Sequence, residues 1–378
     1  MNKDFNPFAL NSYFGSDYFC DRKNEINTLL TNIKNGNSTT IISQRRMGKT
    51  LLIQHLFNIM PSKYIGIDID IFATTNRREF LNKLTTAIAS KVPEKSSFGK
   101  KVWKFIKSLQ PNISFDPLTG SPQININITT PSDNNYIESI FNFLENQPQK
   151  IVIAIDEFQQ ILNYPENNTD IWLRTFIQKL NNVIFIFSGS STHLMSDLFS
   201  NPAKPFFRST KFIFLKKIPA EEYIPFIINH FSKGKKKISE EIITEILEWT
   251  HGHTYYVQAL CSRIYDMPEK VITQNLWKKA AAELLSDEES IFMKFRDLLP
   301  LKQWQLLNAI AIESKVYQPT SIDFISKYRL GSSAGIIRAL NALIEKDMIY
   351  AGNDDKNKKF YAVNDVFFEK WAQWRNPL

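Results

Sequence analysis

The stretch TTIISQRRMGKTLLIQHLF, residues 39–57, decides the fold of this 378-residue chain. Its polar part ends in Gly48, Lys49 and Thr50, as in the phosphate-binding loop pattern G-x-x-x-x-G-K-[ST]. Ser43 stands where that pattern begins with glycine. A β-branched run precedes the loop and helical apolar spacing follows it, which predicts a strand over 39–42 and a helix over Lys49–Ile59. Strand, tight loop and helix is the context that a phosphate loop requires.

The loop can bind an anion despite the serine at its start. A small residue suffices at that position when its φ stays negative. The helix N-terminus offers N–H groups and the positive end of a dipole, and Gly48 lets the backbone approach phosphate oxygens. Lys49 supplies a positive charge to the β- and γ-phosphates. The predicted nucleotide-binding loop comprises Ser43, Gln44, Arg45, Arg46, Met47, Gly48, Lys49, Thr50 and Leu51. Its two arginines are interpreted as surface charges or ion-pair partners rather than catalytic groups.

Polar residues follow two later apolar runs. The run KIVIAID at 150–156 ends in Asp156, with Glu157 next, and VIFIF at 183–187 ends in Ser188-Gly189-Ser190-Ser191. The Thr50 hydroxyl can coordinate Mg²⁺, and Asp156, arriving from an adjacent strand, can hold one of the ion's waters. Glu157 can orient or deprotonate an attacking water. The alternatives are a solvated strand end for the acidic pair and a helix cap for Ser190 and Ser191.

The order of predicted elements indicates the fold class. Apolar runs predict further strands over 64–72 and 212–215, and helical spacing predicts helices within 16–34, 78–90 and 172–180. Strands that alternate with helices indicate an α/β fold, a parallel sheet with helices on both faces. An alternating stretch at 111–130, turning at 116–120, predicts an inserted β-hairpin.

The pattern changes after Pro219. Helices broken at KGKKK and HGHT are predicted over 220–285, and helices over 302–312, 321–327 and 333–346 are followed by two short strands. Three helices and a hairpin outline a winged helix.

Composition excludes several protein classes. The formal net charge of +8 is compatible with phosphate-rich partners, including nucleic acid. Cys20 and Cys261 are too few and too far apart for a disulfide scaffold or a zinc cluster. The sequence has no apolar run of membrane-spanning length and no signal-peptide pattern at its start, so a cytoplasmic protein without a membrane segment is expected.

These motifs together resemble a known family. In order along the chain stand FCDRKNEINTLL, SQRRMGKT, IAIDEFQQI, FIFSGSSTHLM, NPAKPFFRST and HGHTYYVQALCSRIYD. They are similar to the archaeal-type P-loop ATPases on the border of the AAA+ and STAND groups. The segments YRLGSSAGIIRALNALIEKDMI and FYAVNDVFFEKW resemble the family's C-terminal winged helix.

The resemblance implies binding of ATP and ADP, Mg²⁺-dependent ATP hydrolysis and action as a nucleotide-dependent molecular switch. It implies three domains: a P-loop ATPase α/β domain at 1–218 that contains the hairpin, a helical lid at 219–285 and a winged-helix domain at 286–378. The absence of an N-K-x-D pattern at a strand end favours ATP over GTP.

The resemblance also implies roles for individual residues, by their position in the matching motifs. Arg22 of FCDR would border the adenine pocket, and Lys49, Thr50, Asp156 and Glu157 would match the phosphate, magnesium and water-activating positions. Ser190 and Ser191 lie where the family's γ-phosphate sensor would be. Arg208 falls where such proteins often carry a basic residue near the phosphates, sometimes as an arginine finger that reaches a neighbouring subunit, with a structural ion pair as the alternative.

Two departures concern the lid. The turn Gly252-His253-Thr254 lacks the proline often found in related ATPases. Arg263 is the candidate for a second sensor arginine, with a surface role as its alternative. His253 is either a contact of the nucleotide or a solvent-exposed loop residue.

The role of the winged helix stays open between two kinds of partner. Its predicted recognition helix, Ser333–Lys346, presents Arg338, Asn341, Glu345 and Lys346, and the wing carries Lys356, Lys358 and Lys359. The lysines can meet DNA phosphates. The mixed charges on the helix fit equally well a module that packs on the ATPase domain or binds a protein partner, including by self-association. The alternative function is therefore a DNA-binding regulator in which nucleotide is structural and hydrolysis negligible.

Overall fold

The structure is a computed structural model that describes residues 6–8, 10, 12–91, 97–109, 111–117, 121–125 and 133–376. The chain forms two compact units. One comprises Tyr13–Lys216, and the other runs from Lys217 onward and includes the described residues before Tyr13.

The unit Tyr13–Lys216 is built on a parallel sheet. The strands of this unit are β1 Thr39–Ile42, β2 Tyr64–Asp70, β3 Asn112–Phe115, β4 Pro122–Asn125, β5 Lys150–Asp156, β6 Val183–Gly189 and β7 Lys211–Phe214. Five of them pair in the order β2-β5-β6-β1-β7, all parallel. The carboxyl ends of these strands therefore meet at one edge of the sheet, where ligands bind in open α/β sheets.

Helices cover both faces of this sheet, as the α/β pattern predicts. The helices of the unit are α1 Lys23–Lys34, α2 Lys49–Ile59, α3 Arg77–Lys91, α4 Ser97–Ser108, α5 Asp133–Glu145, α6 Thr169–Ile177 and α7 Thr192–Ser200, with 3-10 turns at Ser16–Tyr18 and Phe158–Asn163. Along β5, Val152 packs in the same cluster as α1 and α2, whereas Ile151 and Ile153 pack in the cluster with α3, α5 and α7. Successive side chains point to opposite faces, so both faces of β5 are buried.

The predicted insertion is a β-hairpin. Strands β3 and β4 pair antiparallel, and Ile124 of β4 is buried. The turn residues 118–120 and the end of the predicted range, 126–130, lie outside the described residues. Helices α4 and α5, which flank the hairpin, are not among the elements that the sequence predicts.

The unit from Lys217 onward is mainly helical. Its elements are α8 Ala220–Lys233, α9 Glu240–Trp249, α10 Thr254–Asp266, α11 Gln274–Leu298, α12 Leu301–Glu313, α13 Ile322–Tyr328, α14 Ser333–Glu345, β8 Ile349–Asn353, β9 Lys359–Val363 and α15 Val366–Arg375. The order α12, α13, α14 and the antiparallel hairpin β8–β9 is the predicted winged helix, and α15 closes it. Helix α11 runs without a break across the predicted boundary at 285/286, and the division into three domains stays a prediction. None of the helices in the described part of the chain has the length and apolarity needed to cross a bilayer.

Candidate nucleotide-binding site

The loop between β1 and α2 has the backbone of an anion-binding nest. Gly48 is the N-cap residue of α2 with φ 90°, and Arg46 also has a positive φ, 61°, whereas Met47 between them does not. Residues that alternate between right- and left-handed conformations point successive N–H groups into one concavity. Ser43 is buried and has no positive φ, which is the condition under which a small residue can replace the leading glycine.

The Lys49 ammonium lies over the start of this loop. Its Nζ is 3.2 Å from Ser43 Oγ, 3.3 Å from the Gln44 carbonyl oxygen and 3.5 Å from the Ser43 carbonyl oxygen. The residue is only 6% exposed, so the loop oxygens replace solvent around the charge. Ser43 and Gln44 thus hold the lysine beside the nest.

Two hydroxyl groups and a carboxylate converge at the carboxyl edge of the sheet. Thr50 Oγ1 donates to Asp156 Oδ2 at 2.6 Å, and Ser188 Oγ donates to Asp156 Oδ1 at 2.7 Å. The backbone N–H of Glu157 also donates to Asp156 Oδ1, at 3.1 Å. Asp156 is therefore oriented by three donors, with one oxygen directed at the first turn of α2.

The expectation that Asp156 comes from a strand adjacent to β1 is wrong. Strand β6 lies between β1 and β5, pairing Ile41 with Ser188 and Ile155 with Phe187. The carboxylate still reaches Thr50, and the Ser188 hydroxyl on the intervening strand bonds to it. Ser188 has no role among the sequence-based predictions, although it is the first polar residue after the apolar run 183–187.

Glu157 is held beside Asp156 by the end of β6. Its backbone is left-handed, with φ 55°. Its Oε2 accepts bonds from the Ser190 hydroxyl at 2.8 Å, the Ser190 N–H at 3.2 Å and Gln159 Nε2 at 2.5 Å. Arg45 Nε lies 3.5 Å from the Ser190 hydroxyl. The acidic pair is thus part of a polar network rather than a solvated strand end.

The two serines of the predicted sensor have different surroundings. Ser190 contacts Glu157, whereas Ser191 is the N-cap residue of α7 and its hydroxyl lies 3.2 Å from His193 Nδ1. Met195 N donates to the Ser191 carbonyl oxygen, as the N-cap position requires.

Arg22 and Arg208 lie in contrasting environments. Arg22 is buried, and its guanidinium donates to the carbonyl oxygens of Lys216 at 2.6 Å and Met47 at 3.4 Å, and to Glu25 at 3.2 Å. It therefore ties the segment before α1 to the phosphate loop. Arg208 is exposed with φ 52°, and its guanidinium lies 5.1 Å from the Phe207 ring centroid.

The residues predicted around the lid turn have structural partners. Arg263 forms ion pairs with Glu283 and Asp287 on α11, which fits the surface role. His253 is 4% exposed, is the N-cap residue of α10 and packs edge-on against Tyr256, so the solvent-exposed alternative is wrong.

The residues present fit a magnesium-bound nucleotide. Mg²⁺ prefers oxygen ligands and is bound in proteins through one or two carboxylates together with substrate phosphates. Thr50 Oγ1 and Asp156 Oδ2 supply such oxygens 2.6 Å apart, next to the nest that would receive the phosphates. A positive charge at Lys49 completes the donor set for an anion.

The fold and this edge of the sheet define a P-loop ATPase with a winged helix. Residues 19–260 match the family described as "ATPase domain predominantly from Archaea", and residues 290–374 match a "probable winged helix domain". Because the first match covers more than half of the chain, the protein belongs to this archaeal-type ATPase family. No match was found among curated protein sequences.

Solved structures share the fold along nearly the whole chain. A Walker-type ATPase of Pyrococcus abyssi has a TM-score of 0.69 at 18% identity, covering 97% of this chain and 99% of its own. The Aeropyrum pernix ORC2 protein, solved with ADPNP and ADP, has a TM-score of 0.62 at 12% identity, covering 99% and 98%. The Aeropyrum pernix ORC1 protein in complex with DNA has a TM-score of 0.53 at 11% identity, covering 98% and 96%.

Proposed function

We propose that this protein binds ATP with Mg²⁺, hydrolyses it, and acts as a nucleotide-dependent molecular switch of the AAA+/STAND type. One observation carries the proposal: a phosphate-loop threonine, Thr50, is bonded to a strand-end aspartate, Asp156, and a glutamate follows that aspartate directly. A helix N-terminus, a lysine and this pair of carboxylates are the parts that phosphoryl transfer to water needs.

Each residue has a defined task in this proposal. The nest at 46–50 and Lys49 bind the β- and γ-phosphates, and Arg22 keeps the loop in place through the Met47 carbonyl. Thr50 and Asp156 would hold Mg²⁺, which when bound neutralises charge on the phosphate oxygens. Glu157 takes a proton from the attacking water, and Ser190, which contacts Glu157, is the γ-phosphate sensor rather than Ser191. Arg208, exposed and left-handed, is the candidate for a finger that reaches a second copy.

The test is nucleotide-dependent stability combined with turnover. A ligand at 100 times its Kd stabilises the folded state by about 2.7 kcal/mol, so ATP with Mg²⁺ raises Tm in the parent chain. Lys49→Ala removes this shift, whereas Glu157→Gln keeps it and lowers kcat by a factor of about 10² to 10⁴. Lys63→Ala is the matched control, because Lys63 precedes β2 at the opposite edge of the sheet. Turnover by Glu157→Gln at the parent rate would refute the proposed base.

A second candidate function, DNA binding, has support in the winged helix. Lys356, Lys358 and Lys359 are exposed on the wing, and Arg338 and Asn341 are exposed on α14. The fold is shared with the ORC1 protein that was solved with DNA.

Binding of the full chain to duplex DNA at increasing salt tests this function. Each phosphate contact contributes about 0.9 to the slope of log K against log salt, so replacing the three wing lysines by alanine reduces the slope by about 2 to 3. Replacing three exposed lysines of α4, Lys100, Lys101 and Lys104, is the charge-matched control. An unchanged slope in the wing variant, or no binding by the parent at low salt, removes this function.

A further inference from the structure

The side chain of Gln159 contacts the second carboxylate of the acidic pair Asp156-Glu157. It lies in the 3-10 turn that follows β5, two residues after Glu157, and its Nε2 is 2.5 Å from Glu157 Oε2. The opposite orientation of the amide would set its oxygen against the carboxylate, so the N–H side must face Glu157. Gln159 therefore donates a hydrogen bond to the Glu157 carboxylate.

The two carboxylate oxygens of Glu157 differ in their hydrogen bonds. Oε2 accepts three hydrogen bonds, two from Ser190 and one from Gln159. Within the described part of the chain, no hydrogen bond reaches Oε1. One oxygen is thus fixed from two sides, by the end of β6 and by the turn after β5, and the other keeps its lone pairs available.

Gly189 makes this arrangement sterically possible. A Cβ at Gly189 would lie 2.1 Å from Gln159 Oε1 and 2.7 Å from Met195 Sδ. The φ of Gly189 is not positive, so close approach of a side chain, rather than backbone freedom, is what requires glycine here. Among the described residues, none donates a hydrogen bond to the Gln159 Oε1 atom, which is buried there. An unsatisfied buried oxygen is costly, and such exceptions concentrate at sites where geometry serves a function.

We propose that Gln159 is a positioning residue for hydrolysis: with Ser190 it holds Glu157 Oε2, so that Oε1 is presented to the attacking water. This inference rests on the proposed ATPase function. In that step the water oxygen bonds to the γ-phosphorus, and the water proton passes to Glu157 Oε1. The bond from that phosphorus to the β–γ bridging oxygen breaks, and its electron pair leaves with ADP. Gln159 touches none of the reacting atoms.

The experiment compares two adjacent glutamines in the full-length chain. Gln159→Met keeps the length of the side chain and its packing against Gly189 but removes the donor. Gln160→Met is the matched control, because Gln160 Nε2 donates to the Thr74 carbonyl oxygen at 2.9 Å. Its contact with Glu157 is a backbone hydrogen bond, from the Gln160 N–H to the Glu157 carbonyl oxygen at 2.9 Å, and the substitution keeps that bond. Steady-state turnover gives kcat and KM, and a thermal-shift titration with a non-hydrolysable ATP analogue and Mg²⁺ gives the affinity.

Gln159→Met should lower kcat by about 10- to 100-fold, because misplacement of a reacting group by about 1 Å costs about that much. KM and analogue affinity should stay within about twofold of the parent, which a general loss of folding would not allow. Gly189→Ala should show the same split, because its methyl group displaces the Gln159 amide. Gln160→Met should keep the parent kcat.

The outcomes separate this inference from the function on which it rests. If Glu157→Gln abolishes turnover while Gln159→Met keeps the parent kcat, the positioning role is overturned and the ATPase function stands. A Gln159→Met protein that loses analogue affinity in step with kcat also overturns the role, since the residue would then support the whole site. No turnover by the parent chain removes the hydrolysis and the positioning role together.

Discussion

Replacement of Glu369 by alanine should unfold the C-terminal unit at a much lower temperature. Glu369 on α15 is 2% exposed, and its Oε1 accepts bonds from three donors. These are His251 Nε2 at 2.6 Å, Lys370 Nζ at 2.8 Å and Ser314 Oγ at 3.1 Å. The carboxylate thus joins the turn after α9, the end of α12 and its own helix through one oxygen.

The size of the effect follows from this burial. Removing one member of a buried, hydrogen-bonded charge pair costs about 3 to 5 kcal/mol, because the remaining groups lose their partner. For units of 150 to 250 residues, 1 kcal/mol shifts Tm by about 2 to 4 °C. The expected decrease in Tm for Glu369→Ala is therefore about 6 to 20 °C. Glu345→Ala on the exposed face of α14 is the matched control and should change stability by less than about 0.5 kcal/mol.

The effect should depend on pH in a defined direction. Burial opposes ionisation of Glu369, but the hydrogen bond and charge of His251, together with Lys370, outweigh it, so the pKa of Glu369 lies below its ordinary value of 4.5. Burial lowers the pKa of Lys217, and the negative charge of Glu369 offsets part of that lowering. A depressed pKa in the folded state gives stability that is complete above the unfolded value and is lost as the pH falls through the folded value.

Thermal melts of parent and variant between pH 7 and pH 3 measure both features. The difference in Tm should be present from neutral pH down to about 5 and should shrink below about 4.5. A difference in Tm that stays the same down to pH 3, or a decrease of less than about 3 °C at pH 7, would refute the argument that a buried, ionised Glu369 holds these elements together.

Two further predictions concern the magnesium edge and the winged-helix core. Thr50→Val keeps the shape of the side chain but removes the hydroxyl that donates to Asp156. In a metal titration, half-maximal turnover should therefore need at least tenfold more Mg²⁺. Thr28→Val, on the exposed face of α1, should leave the titration unchanged. Leu343→Ala in α14 empties a fully buried position and should lower the free energy of unfolding by about 2 to 5 kcal/mol in urea titrations, whereas Ile337→Ala, at a position that is 51% exposed, should change it far less.

Sequence patterns predicted the elements whose signals are local. Strand β1, helix α2 and strand β5 begin and end at the predicted residues, because β-branched or apolar runs abut a glycine-containing loop or an acidic pair. Helix α5 was missed although its buried Ile137, Ile140, Phe141 and Leu144 have helical spacing. Helix α4 was also missed, although its buried Val102 and Ile106 have helical spacing and belong to the hydrophobic core.

The site was predictable only where the chemistry lies in one motif. The loop residues and the pair Asp156-Glu157 follow from short patterns, and the structure brings Thr50 and Asp156 together. Ser188 and Gln159 contact that pair because of strand order and the left-handed turn at Glu157, and neither is visible in spacing. Residues that act across strands therefore need the fold before they can be assigned.

The left-handed backbone at Glu157 has a consequence for engineering. A left-handed backbone costs a residue with a side chain roughly 1 to 2 kcal/mol of steric strain, and glycine lacks this steric penalty. Glycine at position 157 would relieve that strain, but it would also remove the carboxylate that accepts hydrogen bonds from Ser190 and Gln159, so a selection for heat resistance acts on two opposed effects at this position. Variants of this protein that are selected for thermal stability should therefore also be screened for turnover in every round.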